Sequence, residues 1–533
     1  MRSPPGPSSN ACDGRFRGGR QALGGRPRSV HDGVSLAEPG KAARRSRFAW
    51  VQVATLSVVV LALSACGSTP QGASTSQTTA TNGHGGSTTT IASPPSSVAS
   101  VVPTVQARWT TYHGDSLSNG VDASGARLDP PRTAWTSQKL DGDLFGEPLV
   151  VGKTVFVATE NDTVYALDAA SGKEIWSKHV GTPVDASELA CGDVDPVVGV
   201  TGTPVIDTRR GEIFVVADEQ SSVGGASHHL VGLDLHNGKI VLDQTVDPPG
   251  TTPLTELQRT GLALDDGRVV FGFGGNDGDC GHYNGYVVSV PETGGPERYF
   301  EVDQAAGDFQ GAVWMGGASP VVDSKGNVWV SAGNGSVKSS SDPYDDSDSV
   351  LELSSDMSLE QYFAPDSWPS DNAADLDLGS TSPAILADGT VLEVGKAGIG
   401  YLLKATSLDG IGGELAAAKV CPGVADGGDA VSGSIVYVPC ASGVTAVAVS
   451  ASPPGVTVRW TASSASSGPP ILASGLLWSI DRQGILWAVD PSNGHTISQF
   501  ALGDEANHFP TPSVGDGLLF APGADQVIAF SGP

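Results

Sequence analysis

One pattern recurs along the chain and limits its possible folds more than any other feature. Residues 147–176 read EPLVVGKTVFVATENDTVYALDAASGKEIW: four short apolar strands, separated by turns and ending at Trp176. Each strand has four to six residues with β-branched or aromatic content, bounded by turn formers, as an antiparallel meander requires. The unit returns from Thr203 (TPVIDTRRGEIFVVADE…HLVGLDLHNGKIVLD), from Gly261 and from Ser319, then four more times in more degenerate form. Unit starts fall near 148, 204, 262, 320, 383, 430, 470 and 512, some 40 to 63 residues apart. Four-stranded units of this length, repeated eight times, predict an all-β, eight-bladed β-propeller over residues 108–533. The last unit stops at Phe530 after its third strand, while RTAWTSQKL (132–140) is a strand with no unit of its own, its Trp135 matching Trp176. The N-terminal strand is therefore expected to complete the last blade and close the ring.

Charge divides the 533 residues unevenly. Residues 1–48 hold ten Lys/Arg against three Asp/Glu, whereas the chain from Cys66 onward holds 20 against 55. A folded part this acidic argues against nucleic acid or an anionic membrane surface as its partner. The 70 glycines and 36 prolines favour frequent turns over long helices.

Residues 49–65, AWVQVATLSVVVLALSA, follow the basic stretch KAARRSRF, as in a secretory signal. The apolar run is short for a membrane span, which needs roughly 20 residues. Leu63-Ser64-Ala65-Cys66 resembles the bacterial lipoprotein lipobox, which implies lipidation at Cys66 and an extracytoplasmic, membrane-anchored protein. The n-region is over-long for such a signal, which suggests a translation start downstream, at Val30 or Val34. Residues 66–107 then form a Ser/Thr-rich tether that cannot bury a core. Four cysteines lie beyond it, and an exported chain with an even count points to two disulfides. Proximity in sequence pairs Cys421 with Cys440 and Cys191 with Cys280.

The motif ALDAASGKEIW (166–176) is similar to the repeat of the pyrroloquinoline-quinone (PQQ) propellers, and the resemblance extends from the lead-in WTTYHGDSLSNG at Trp109 to the C-terminus. That superfamily includes bacterial alcohol dehydrogenases, polyvinyl-alcohol dehydrogenase and non-enzymatic outer-membrane-assembly lipoproteins, so the repeat specifies fold rather than activity. In the enzymes a tryptophan stacks under the quinone, and Glu, Asn and Asp hold a calcium ion. An aspartate acts as base, and an Arg or Lys meets the quinone oxygens. The resemblance of GAVWMGGASPVVDSKGNVWVSAGN makes Trp314 the platform and Asn334 a calcium ligand. The segment ADLDLGSTSPAILADGTVLEVGKAGIGYLL likewise puts Lys396 against the quinone. Glu219 and Asp279 are the nearest candidates for the acidic ligand.

The base is sought at the Asp of the Leu-Asp pair in the blade of Trp314, but VLELSSD has Ser354 there, and a serine needs an activating partner to act as a base. Asp346 and Asp348, in DPYDDSD (342–348), are weak substitutes. Four carboxylates in that loop would suit Ca²⁺, yet in so acidic a chain an exposed, solvating loop is expected. Gly152-Lys153-Thr154 mimics a phosphate loop with the wrong spacing and a following strand. No CxxCH, GxSxG or HExxH occurs.

Two readings follow. The first is a lipid-anchored scaffold binding a protein or small ligand at one propeller face. The second is a PQQ- and Ca²⁺-dependent dehydrogenase of alcohols or polymeric alcohols.

Overall fold

A computed structural model describes residues 108–125, 128–222, 224–305 and 307–532. The signal, Cys66 and the tether lie outside the described residues. The eight meanders expected from the sequence form eight blades. In the first blade the strands are Leu149–Val151, Thr154–Thr159, Thr163–Asp168 and Glu174–His179, running from the central channel outward. The middle strands are almost wholly buried, because each is covered on both faces by neighbouring blades. The outermost strand is covered on one face only, so alternate residues are exposed.

Closure is as anticipated. Arg132–Thr136 pairs antiparallel with Gln526–Ser531, completing the blade that begins at Ser513–Gly515. The Trp135 indole N–H donates to Ala169 O at 2.9 Å, docking the eighth blade on the first. Its ring packs against Gly172, where a Cβ would come within 2.4 Å of the indole and where φ is +67°. Only glycine meets both demands at low cost. Trp176 repeats this arrangement on Gly238, and Trp460 on Gly494.

The free edges of the innermost strands raise a separate problem, since their N–H and C=O groups line the channel. Residues 109–122 answer it by threading the channel. Trp109 pairs with Val150, and carbonyls of Thr110, Ser116, Asn119 and Gly120 accept from Ile206, Val322, Val431 and Leu472 N–H at 2.7–2.8 Å. These four belong to blades two, four, six and seven. Tyr112, stacked on His113, reaches the backbone N–H of Gly428 with its hydroxyl at 3.1 Å.

Both expected disulfides are present, Cys191–Cys280 and Cys421–Cys440. The expectation of an exposed 342–348 loop fails. Asp345, Ser347 and Asp348 are buried, because the short helix Trp368–Ala374 packs over the loop. The Asn372 amide oxygen accepts from Gly335 N–H, and its NH₂ group donates to Val337 O and Ser347 Oγ. Tyr344 also lies against Trp368. Only the start of the loop, at Asp342 and Pro343, is exposed.

Candidate functional site

In each blade, the loop after the second strand and the loop before the first emerge at the same end. At that end, where blades four and five meet, the side chains of Trp314, Asp377 and Lys396 converge with the backbone of Asn334. Trp314 precedes the turn Met315–Gly317 leading into Val321–Val322, and Asn334 follows Val328–Ala332. Asp377 starts the turn Leu378–Ser380 leading into Ala384–Ile385, and Lys396 follows Thr390–Val394.

Asp377 holds the group together. One carboxylate oxygen accepts the Asn334 backbone N–H at 2.7 Å, and the other lies 2.6 Å from Lys396 Nζ. Asp375 meets the same ammonium at 3.0 Å. Burial alone would lower the lysine, but Asp377 and Asp375 more than reverse it and hold it above the usual range. Burial pushes the Asp377 carboxyl up, while Lys396 pulls it back. The ammonium sits over the Trp314 ring, 5.4 Å from its centroid, a cation–π contact. The ring of Phe509, 5.8 Å from Trp314, extends the aromatic surface, with Arg259 beyond it at 5.6 Å. Phe509 has φ +63°, a conformation a bulky residue keeps only where its surroundings impose it. Asp426 faces this group from the next connection. Burial lifts it to about 6, against the pull of Lys396, Arg482 and His508.

The sequence candidates are thus partly assembled. Trp314 and Lys396 meet, and Asn334 is joined to them through its backbone N–H on Asp377. Asp348 lies behind them, one oxygen accepting Leu378 N–H at 2.9 Å, and burial with Asp377 nearby keeps its carboxyl well above its ordinary value. Asp346 is half-buried, raised to about 6 by burial and then by Asp345. Glu219 instead packs against Gly181 and faces His229 at 3.8 Å, and Asp279 accepts from Tyr283 OH at 2.6 Å. Among the described residues no hydrogen bond or ion pair joins either acid to Asn334. Ser354 lies at the opposite end of its blade, since Leu353 pairs with Val328 whereas Ser349 pairs with Ala332. The residue the sequence reading missed is Asp377. It sits in ADLDLGSTSP, on the connection into the next blade, whereas the acid was sought within the blade of Trp314.

The donor set does not fit a calcium-held quinone. Calcium takes six to eight oxygens, but both oxygens of Asp377 are engaged and its partner is a cation. Lys396 itself covers the Trp314 face. Among the described residues no three His, Cys, Asp or Glu side chains converge as a metal site.

Comparison with known proteins agrees with the fold. Residues 128–338 match the family model for outer membrane protein assembly factor BamB. A stretch of 211 residues is 27% identical to 1-butanol dehydrogenase (cytochrome c) of Thauera butanivorans, covering 35% of this chain and only 28% of that protein. Among solved structures, the quinohemoprotein alcohol dehydrogenase of Pseudomonas putida HK5 superposes with a TM-score of 0.61 at 15% identity, over 80% of each chain. That of Comamonas testosteroni gives 0.58 at 16%, over 80% of this chain and 81% of the other. At such identities the structural likeness speaks for the fold. The chain is a PQQ-like β-propeller, similar to both BamB and the quinoprotein alcohol dehydrogenases.

Proposed function

We propose that this chain is an exported propeller, anchored outside the cytoplasm through lipidated Cys66, that serves as a binding scaffold for a small ligand or protein partner at the channel mouth. The observation that carries this reading is the Lys396 ammonium, clamped by Asp375 and Asp377 over Trp314. That arrangement fills the platform a quinone would need and neutralises the carboxylate a metal would need. The mouth still presents aromatic surface, carboxylates and cations for hydrogen bonding, which suits recognition without chemistry.

The convergence of Trp314, Asn334, Asp377 and Lys396 favours a second reading, a PQQ- and Ca²⁺-dependent alcohol dehydrogenase. For such an enzyme the resemblance implies Trp314 as platform, Lys396 as quinone contact and Asn334 as a calcium ligand. Lys396 would first have to leave Asp377.

Titrating the purified protein with pyrroloquinoline quinone, with and without Ca²⁺, separates the two. No heat and no change in quinone absorbance at tens of micromolar supports the scaffold. Calcium-dependent one-to-one binding, abolished by Trp314→Ala, sinks it. For the anchor, metabolic labelling with palmitate should mark the protein and leave Cys66→Ser unlabelled.

A further inference from the structure

The mouth has a second set of connections that the Lys396 group does not explain. Between blades one and two, residues 181–199 form an elaborated rim. Val184–Asp185 pairs with Val197–Val198, and Val194 and Val198 join a small apolar cluster with Phe145 and Leu257. This rim is tied to the third blade by Cys191–Cys280, a link across 89 residues.

Two residues past Cys191, the Asp193 carboxylate meets His508 Nδ1, and the other imidazole nitrogen meets Arg482. The His508 carbonyl accepts from Arg259 Nη2 at 2.7 Å, while Arg259 Nη1 donates to Thr201 O at 2.9 Å. The guanidinium lies between Phe145 and Phe509, 5.6 Å from each ring, and Phe509 abuts Trp314. The path from the disulfide to the central tryptophan is therefore continuous: Cys191, Asp193, His508, Arg259 with Phe509, Trp314.

Arg259 is buried, yet among the described residues no carboxylate forms an ion pair with it. Burial draws its guanidinium down to about 10, and the leading opposing influence is Asp193. A buried cation without a direct partner is costly, and Phe509 holds a left-handed backbone. Both conditions need an external constraint. The two disulfides also differ in access: Cys421 and Cys440 are completely buried, whereas Cys191 and Cys280 are partly exposed.

We infer that Cys191–Cys280 is a latch that positions Asp193 and, through it, His508, Arg259 and Phe509 over Trp314, so that opening it loosens the mouth and leaves the blades intact. The external reactant is a dithiol. One of its thiolates attacks a sulfur of the pair, and the other cysteine leaves as a thiolate and takes up a proton. The second thiol of the reagent then closes a cyclic disulfide and releases the first cysteine as a thiol. Two electrons and two protons pass from the reagent to the protein.

The test needs no ligand, so it stands or falls separately from the scaffold reading. The full-length protein is treated briefly with dithiothreitol and alkylated, and peptide mapping identifies the modified cysteines. Hydrogen exchange is then compared with untreated protein and with Cys191→Ser/Cys280→Ser. Alkylation is expected at Cys191 and Cys280 and not at Cys421 and Cys440. Amides of 186–198 and 505–511 should exchange about tenfold faster, with the blade strands unchanged. Tryptophan emission should shift in a way that Trp314→Phe removes. With the disulfide intact, Asp193→Asn should reproduce the loss of protection at 505–511, and Asp193→Glu should restore it. Unchanged exchange at 505–511 in reduced protein or in Asp193→Asn overturns the latch, as does global loss of blade protection on reduction.

Discussion

Lys396 Nζ lies 2.6 Å from one oxygen of Asp377, while the other oxygen of that carboxylate caps the backbone N–H of Asn334. Two connections from different blades are thereby joined through one buried carboxylate. Removing one member of such a pair leaves the other charged and unpaired, which costs about 3–5 kcal/mol. Lys396→Met should therefore lose about that much stability at pH 7 in urea unfolding. The loss should shrink as the pH falls and Asp377 takes up a proton. Lys396→Met/Asp377→Asn should recover most of it, since no charge is then left bare. A double variant as unstable as the single one would show that the ion pair is not what holds this junction.

Ring closure gives a second prediction. Trp135 is only half-buried, but it donates to Ala169 O and covers Gly172 across the joint between the last blade and the first. Trp135→Ala should cost about 3 kcal/mol, near the lower end for deleting a large aromatic side chain. Gly172→Ala acts from the other side, through a Cβ clash and a strained φ, and should cost at least about 1 kcal/mol. Because both changes break the same contact, the double variant should lose less than the sum of the two. Additive losses in thermal or urea unfolding would separate the two residues.

The blades were legible in the sequence because strand period, turn glycines and outer-strand tryptophans all report on local packing, and a propeller is local packing repeated. Trp135 announced the closing strand for the same reason. The channel-threading segment was not legible, because it bonds through the carbonyls of Thr110, Ser116, Asn119 and Gly120, which no side chain encodes. Asp377 escaped because its role depends on two blades meeting, whereas the sequence assigns it to neither. The 342–348 loop looked like solvated surface because composition counts carboxylates and cannot see that Asn372, some 25 residues on, supplies their neighbourhood with hydrogen bonds.

The threading segment can be tested at Tyr112, which is buried and whose hydroxyl accepts from Gly428 N–H. Tyr112→Phe keeps the ring and leaves that donor unsatisfied, a change worth about 1–3 kcal/mol. Exchange at Gly428 should accelerate by the factor equivalent to the measured loss of stability. Unaltered stability and exchange would mean that water replaces the hydroxyl and that the channel is wetter than this packing implies.

Asp303 makes the clearest pH prediction. It is buried, neither of its carboxylate oxygens has a hydrogen-bond partner among the described residues, and its carboxyl is pushed up to about 9 by burial and then by Asp345 and Asp308. In the unfolded chain the same group titrates near its ordinary value of 3.8. Between those two values the folded state keeps a proton that the unfolded state has released. Folding stability contributed by this group is therefore full at low pH and drains away as the pH rises through that window. Asp303→Asn removes the dependence. Relative to the wild type, the variant should gain stability steadily from about pH 5 to pH 8, by up to about 4 kcal/mol, because each step of one in pH across the window is worth about 1.36 kcal/mol. The measurement is urea unfolding of both proteins at matched ionic strength across that range. Parallel stability curves would show that Asp303 is ionised in the folded protein and that a cation or donor reaches it there.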